Sequence, residues 1–343
     1  MIRKLYKYMP LRLEFFDEPM LRATPTHQLN DPFEVDVQHH QMVSILTHKY
    51  EEGELASFDY QCDQRDVHYD NRRSLFYNEK NSLAEFELNK ITKNVQQLGV
   101  VSFTEDYNNL LMWSHYADEH KGMVIEFSKE TSWLKYTKSE KPEDYRCFGN
   151  RLFDYHRELP ERVVYRANRP NFEFPIDVVH DLGESKIFDG YFFCKGDNWI
   201  YEKEHRSVLP LEFSDKILTP YTKVVKSCVE AFPILNVSNI KSDDKRGTSC
   251  NLTFSDNGLD HVSRTVTTRS IIEDIQNPIF LYAVRERSIS GIYLGCRVTD
   301  EEVRAVLDAI KANPNFDEDI IVRRAKISTE RYSLDFEVIS NQM

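Results

Sequence analysis

Residues 99–127 read GVVSFTEDYNNLLMWSHYADEHKGMVIEF, and this stretch sets the reading of the whole chain. The run GVVSF, residues 99–103, has the apolar content of a buried strand. NNLLMWSHYAD, residues 108–118, then puts Leu110, Trp113 and Ala117 on one stripe at helical spacing, and GMVIEF returns from Gly122 as a second strand. Working outward, LYKY at residues 5–8 reads as a short strand ended by Pro10. Residues 11–20 space Leu13, Phe16 and Met20 as a helix, and LRAT follows as another strand. In TPTHQLNDPFE, residues 24–34, Asp31 can cap a helix, Pro32 suits its first turn, and Glu34 completes a capping box. On the C-terminal side, WIYEKEHRSVLPL alternates as one long strand. The chain closes as GIYLGCRV, a helix over TDEEVRAVLDAIKAN capped by Thr299 with Glu302 three residues on, then DIIVRRAKI and YSLDFEVI. The expected fold is α+β.

The 343 residues carry 44 basic and 56 acidic side chains, a formal charge of -12, with 41% hydrophobic residues, which is the composition of a globular protein rather than a disordered one. Apolar runs such as the one from Pro278 fall far short of the roughly 20 residues a membrane-spanning helix needs. The basic N-terminus is followed by no apolar core with a cleavage site, so a cytoplasmic protein without membrane contact is expected. Six cysteines lie far apart, without the paired spacing of zinc or redox motifs. Net acidity disfavours non-specific adhesion to nucleic acid. The whole chain, 1–343, reads as a single domain with insertions at 50–98, 131–160 and 227–270. The first is polar with a helical pattern, and the last is a Ser/Thr/Asn/Asp-rich surface excursion of hairpins.

Two clusters can carry chemistry. In a strand WIYEKEHRSV, residues at i, i+2 and i+4 share a face, which groups Glu202, Glu204 and Arg206 and leaves Trp199, Tyr201, Lys203 and His205 on the other side. Such a face is either a solvated surface with cross-strand ion pairs or the wall of a cleft, where paired carboxylates can oppose positive charge growing on a sugar carbon. The second cluster, MWSHYADEHKG, concentrates Trp113, His115, Tyr116 and His120; its aromatics suit either a core or stacking on a ring, and its histidines suit proton transfer or phosphate contact. Phosphate-loop, dinucleotide-fold, serine-nucleophile and zinc-protease motifs are all missing from the sequence, and no metal site is expected.

In their order, LYKY, LRATPTHQLNDPFE, the 99–127 block, NWIYEKEHRSVLPL and IYLG resemble a widespread bacterial family known as a domain of unknown function. That pattern is in turn similar to ADP-ribosyltransferase-fold proteins, with toxin, toxin–antitoxin and phage-defence branches. The resemblance implies a split mixed β-sheet with flanking helices and surface insertions. It also implies NAD as substrate. By it, Tyr6 or Lys7 takes the early-strand position, His115 or Tyr116 the middle one, and Glu204 with Glu202 the catalytic one. Lysine stands where the better-known enzymes have arginine or histidine.

The implied activity is cleavage of the nicotinamide–ribose bond of NAD and transfer of ADP-ribose to a macromolecular acceptor, nucleic acid or protein. Glu204 would bind the ribose hydroxyl and oppose the growing charge, Glu202 would position or deprotonate the acceptor, and Arg206 would hold the carboxylate by a bidentate contact. Tyr116 would stack on nicotinamide beside Trp113 and His115, and Asn30 would shape the pocket wall. One alternative is a non-catalytic nucleotide- or protein-binding module, a sensor or antitoxin. The other is a metal-dependent nuclease built from Asp31, Glu34, Glu202 and Glu204.

Overall fold

The computed structural model describes residues 4–34, 78–79, 82–86, 88–89, 92–93, 95–128, 132–135, 157–169, 188–243, 247–255, 260–316 and 320–339. The early strands are β1 (Lys4–Met9), β2 (Met20–Pro25), β3 (Leu98–Thr104) and β4 (Met123–Ser128). They are followed by β5 (Arg157–Arg162), β6 (Val164–Arg166), β7 (Cys194–Gly196), β8 (Glu204–Pro210) and β9 (Lys216–Pro220). β10 (Leu235–Asp243), β11 (Gly247–Phe254), β12 (Ile279–Ala283), β13 (Ile289–Leu294), β14 (Ile321–Ile327) and β15 (Leu334–Val338) complete the set. Among the described residues, thirteen strands join in one sheet whose main path runs β10-β11-β9-β12-β2-β3-β1-β4-β13-β14-β15, with β8 attached to β3 and β5 to β8. Most pairs are antiparallel, while β13 and β14 are parallel, joined through the helix Asp300–Ala312. The fold is mixed α+β.

A fork in this sheet positions the site. On one edge β3 pairs along its whole length with β8, from Leu98↔Pro210 to Thr104↔Glu204. Its other edge is shared: Gly99 and Val100 pair with β2, whereas Thr104 pairs with Tyr6 of β1. β1 and β2 therefore part opposite the middle of β3. Because side chains alternate across a strand, this register puts Tyr6, Tyr8, Arg22, Thr24, Ser102, Thr104, Glu204 and Arg206 on one face. The opposite face, with Leu5, Val101, Phe103 and Leu209, joins the main core under helices Lys223–Ala231, His261–Asp274 and Asp300–Ala312. The helix Asp300–Ala312 starts with the expected capping box of Thr299 and Glu302.

On the site face, the helix Leu110–Tyr116 is fastened by its cap and by Trp113. Asn109 accepts from the amides of Leu111 and Met112 and donates Nδ2 to the Tyr201 carbonyl at 2.8 Å. Trp113 packs edge-on against Tyr8 and donates Nε1 to the Tyr107 carbonyl. Beyond the helix, Asp118, Glu119 and His120 take positive φ angles of 46°, 52° and 70°, and the chain turns sharply at Gly122. A Cβ on Gly122 would lie 2.4 Å from the Met9 carbonyl, so the close approach of this turn to β1 requires glycine.

Several sequence expectations need correction. WIYEKEHRSV is not one strand: Asp197–Glu202 is a 3-10 segment, Lys203 is left-handed with φ 45°, and β8 begins at Glu204. The helix expected over residues 11–20 shrinks to Glu14–Asp17, since Pro19 leads straight into β2. The 227–270 stretch is not a surface excursion. Its β10–β11 hairpin pairs with β9 and buries Leu235, Cys250 and Leu252 in the main core, leaving its polar residues for the other face. Of the 50–98 insertion, residues 50–77 lie outside the described residues; helical residues Ala84, Leu88 and Val95 are buried, and Leu98 already belongs to β3. Of 131–160, Trp133 and Leu134 are core, while residues 136–156 lie outside the described residues. Asp31 does accept from the Phe33 amide, but any helix beyond Glu34 falls outside the described residues as well.

Candidate functional site

A cavity of about 310 Å³ opens at the fork, walled by β1, β2, β3 and β8 and roofed by Met112 and Tyr116 of the helix Leu110–Tyr116. Tyr6 and Lys7, neighbours pointing to opposite faces of β1, both line it because the sheet is parted there. Lys7 donates Nζ to the Ser102 carbonyl at 2.7 Å. Burial pushes its ammonium down to about 8, with Arg22 adding to the shift and Glu204 and Glu202 opposing it.

The acidic end of the cavity is a buried ionic cluster. Arg206 holds Glu204 by two contacts, Nε to Oε1 at 2.8 Å and Nη2 to Oε2 at 2.9 Å, and also donates to the Phe192 carbonyl and to Glu34. Lys195 places its ammonium 2.8 Å from Glu34, 2.7 Å from Glu202 and 3.3 Å from Glu204. All five side chains are at most 5% exposed, so desolvation is severe and only the mutual pairing keeps the charges. For Glu204, burial alone would raise the carboxyl, but Arg206 and then Lys195 overcome it and hold the group at about 2. Glu34 goes the other way: burial outweighs the same two cations, and Glu204 adds to the rise. Three carboxylates face two cations inside the cluster, and Lys7 on the opposite wall supplies a third.

Tyr116 connects the roof to this cluster. Its hydroxyl donates to Glu202 Oε1 at 2.6 Å and accepts from Asn30 Nδ2 at 2.7 Å. Burial, then the Glu202 contact, push its phenol well above the ordinary range, so at neutral pH it is a donor. Glu202 thus takes one hydrogen bond from the cavity side and one from Lys195 behind it.

Of the residues expected from sequence, the fork brings together Tyr6, Lys7, Asn30, Tyr116, Glu202, Glu204 and Arg206. Trp113 and His115 are corrections. Trp113 is 0% exposed within the aromatic core beside Tyr8, and His115, on the outward side of its helix, is exposed and does not line the cavity. Lys195 is not among the residues expected from sequence, and Glu34 is expected there only as part of a cap or a metal site. The signal for Lys195 was a lone charge in the otherwise apolar run YFFCKG, which is how a buried, paired lysine looks in sequence. The carboxylates do not suit a metal: Lys195 and Arg206 already bridge them, and Asp31 serves its own turn. Among the described residues no cluster of His, Cys, Asp and Glu could hold an ion, and no helix is long and apolar enough to cross a membrane.

No curated protein and no solved structure matches the chain. Residues 112–207 match the family model described as Protein of unknown function (DUF2971). That span holds Tyr116, Lys195, Glu202, Glu204 and Arg206, so the similarity to this domain of unknown function covers the roof and the acidic end of the cavity, while β1 and β2 lie outside it.

Proposed function

We propose that the protein binds NAD in the forked cavity and transfers its ADP-ribosyl group to a macromolecular acceptor. The observation that carries this reading is the division of one concave space into an anionic end, Glu202 and Glu204, and a cationic wall, Lys7 with Arg22. NAD has the matching polarity, with negative phosphates at one end and a cationic nicotinamide–ribose bond at the other. A volume of about 310 Å³ is at the low end for a ligand pocket, so it suits the nicotinamide–ribose half, with the phosphates toward Lys7 and Arg22 at the mouth.

In the reaction, the ribose–nitrogen bond breaks and its electron pair stays on the nicotinamide ring, which becomes neutral. Positive charge grows on the ribose, where fixed carboxylates in a water-poor site stabilise it most. Glu204 is kept ionised for this by Arg206 and Lys195. An acceptor oxygen or nitrogen then bonds to the ribose carbon and gives its proton to Glu202, the carboxylate with a donor on the cavity side. Tyr116 covers the nicotinamide from the roof, and Asn30 fixes its hydroxyl.

One observation favours a second reading. Both oxygens of Glu204 are already taken by Arg206, as in a hub that holds a fold together, and a non-catalytic nucleotide-binding module would keep such a hub. Labelled NAD separates the two. The expected result is nicotinamide release by the wild type that falls about 100-fold or more in Glu204→Gln and in Glu202→Gln, with both variants folded by thermal melting. Thermal stabilisation by NAD without release by the wild type would replace the enzyme with the binding module, and the absence of both would remove NAD altogether.

A further inference from the structure

Behind Lys195 lies a second hollow of about 410 Å³, and Glu34 and Lys195 line both spaces. Their ion pair is the partition between the two. The far side has a different chemistry from the first cavity. Phe33, 67% exposed, and half-buried Trp199 offer aromatic faces, and Arg166 and Arg169 line the same space. Arg169 lies 5.2 Å over the Phe33 ring and Lys195 lies 4.5 Å over the Trp199 ring, so cations and rings are interleaved. Among the described acids lining it, Asp31 serves its own turn, Glu34 pairs inward and Asp197 stands at the rim.

We infer that this second hollow is a strand-binding site that takes an unstacked nucleotide of a single-stranded nucleic acid, its base against Phe33 or Trp199 and its phosphate toward Arg166 and Arg169. Rings for base faces and arginines for phosphates are the two elements by which single strands are held. A hollow of about 410 Å³ has room for a splayed base. The overall charge of -12 further disfavours the denser phosphates of a duplex. Strand binding in this hollow is independent of NAD binding in the first cavity, from which the Glu34–Lys195 pair divides it.

The test uses the full chain without NAD. Trp113 and Trp133 are 0% and 2% exposed, so quenching of tryptophan fluorescence reports Trp199. An oligothymidylate of about 12 nucleotides, within the range one such groove holds, is titrated while anisotropy of an end label follows binding. The expected result is saturable, salt-sensitive binding with quenching, at least about tenfold weaker in Phe33→Ala and in Arg169→Ala, and weaker for a duplex of the same length. Both substitutions are at exposed positions, and thermal melting checks that the variants are folded. Binding that is absent, or equal in the wild type and both folded variants, overturns the inference. Nicotinamide release without strand binding defeats this inference and leaves the NAD reading standing; strand binding without release does the reverse.

Discussion

Lys7 donates its ammonium to the carbonyl of Ser102 at 2.7 Å, filling with a side chain the place where β1 and β2 part along β3. A backbone acceptor left open by the fork is satisfied, and a positive charge is fixed on the wall of the cavity. The cost is a buried ammonium, lowered from 10.5 to about 8.

The pH dependence of NAD binding follows from this. A lysine whose folded-state value lies below its unfolded value is penalised while charged, so its destabilising effect is full below about 8 and is relieved as pH rises toward 10.5. Global stability from this group should therefore rise over that window, while the cation offered to phosphate is lost. Thermal stabilisation by NAD should fall between about pH 7 and about pH 9 in the wild type and be small and flat in Lys7→Met. An unchanged profile in Lys7→Met would place the phosphates elsewhere.

Arg206→Met should be among the most damaging single changes. It strands Glu204 and Glu34 in the interior, and breaking a buried pair in this way costs about 3–5 kcal/mol. Urea unfolding near neutral pH measures it. Acid reveals the same contact: Glu204 is depressed, so its stabilisation is present above 4.5 and fades as pH falls toward about 2. Glu34, being raised, acts above 4.5 and not in that window. Arg206→Met should lose most of the stability difference between about pH 5 and about pH 3.

Tyr116→Phe removes the hydroxyl that joins Asn30 to Glu202 while keeping the ring over the cavity. Stability should drop by only about 1 kcal/mol, the usual worth of such a bond. Nicotinamide release should drop about tenfold or more, with NAD stabilisation retained, because the lost group orients a carboxylate rather than supplying contact area. Equal losses in binding and release would assign Tyr116 to binding alone.

Two glycines of β13 and its end separate site support from ordinary packing. A Cβ at Gly295 would lie 2.0 Å from the His120 carbonyl oxygen and 2.6 Å from its carbon, with backbone that has no room to yield. One at Gly291 would meet Glu126 at 3.3 Å, and Arg323 and the Ile321 carbonyl at 3.4 Å, contacts at the edge of ordinary packing. Gly295→Ala should destabilise by about 1–3 kcal/mol or more and disturb the turn after the helix Leu110–Tyr116, whereas Gly291→Ala should stay below about 1 kcal/mol. Thermal melting and NAD stabilisation of the two variants, side by side, check this.

The elements legible in sequence were those whose cause is local. GVVSF, GMVIEF and the helix between them follow from apolar spacing, and Thr299 with Glu302 marks a helix start by its own hydrogen bonds. Glu204 and Arg206 were placed together by the two-residue repeat of a strand, which is also local. Glu202 reached the same cluster by another route. The strand reading would have put it on the shared face by alternation, but a 3-10 turn and a left-handed Lys203 deliver it instead. Agreement on the outcome did not mean agreement on the geometry.

The residues that sequence did not place are those whose partners are far away along the chain. Glu34 looks like the third residue of a capping box until β2, the fork and β8 bring it to Arg206, and Lys195 is one lysine among many until three carboxylates surround it. Trp113 shows the converse, since a stripe of aromatics serves a core and a binding wall equally well, and only the packing of Tyr8 against it decides for the core. The sequence by itself determined the mixed strand-and-helix character and the pairing of Glu204 with Arg206, because those depend on the backbone repeat. Only the tertiary structure decided that β3 is shared between β1 and β2, and so that a cavity opens there with carboxylates at one end and Lys7 at the other, because strand partners are chosen by burial across the whole chain.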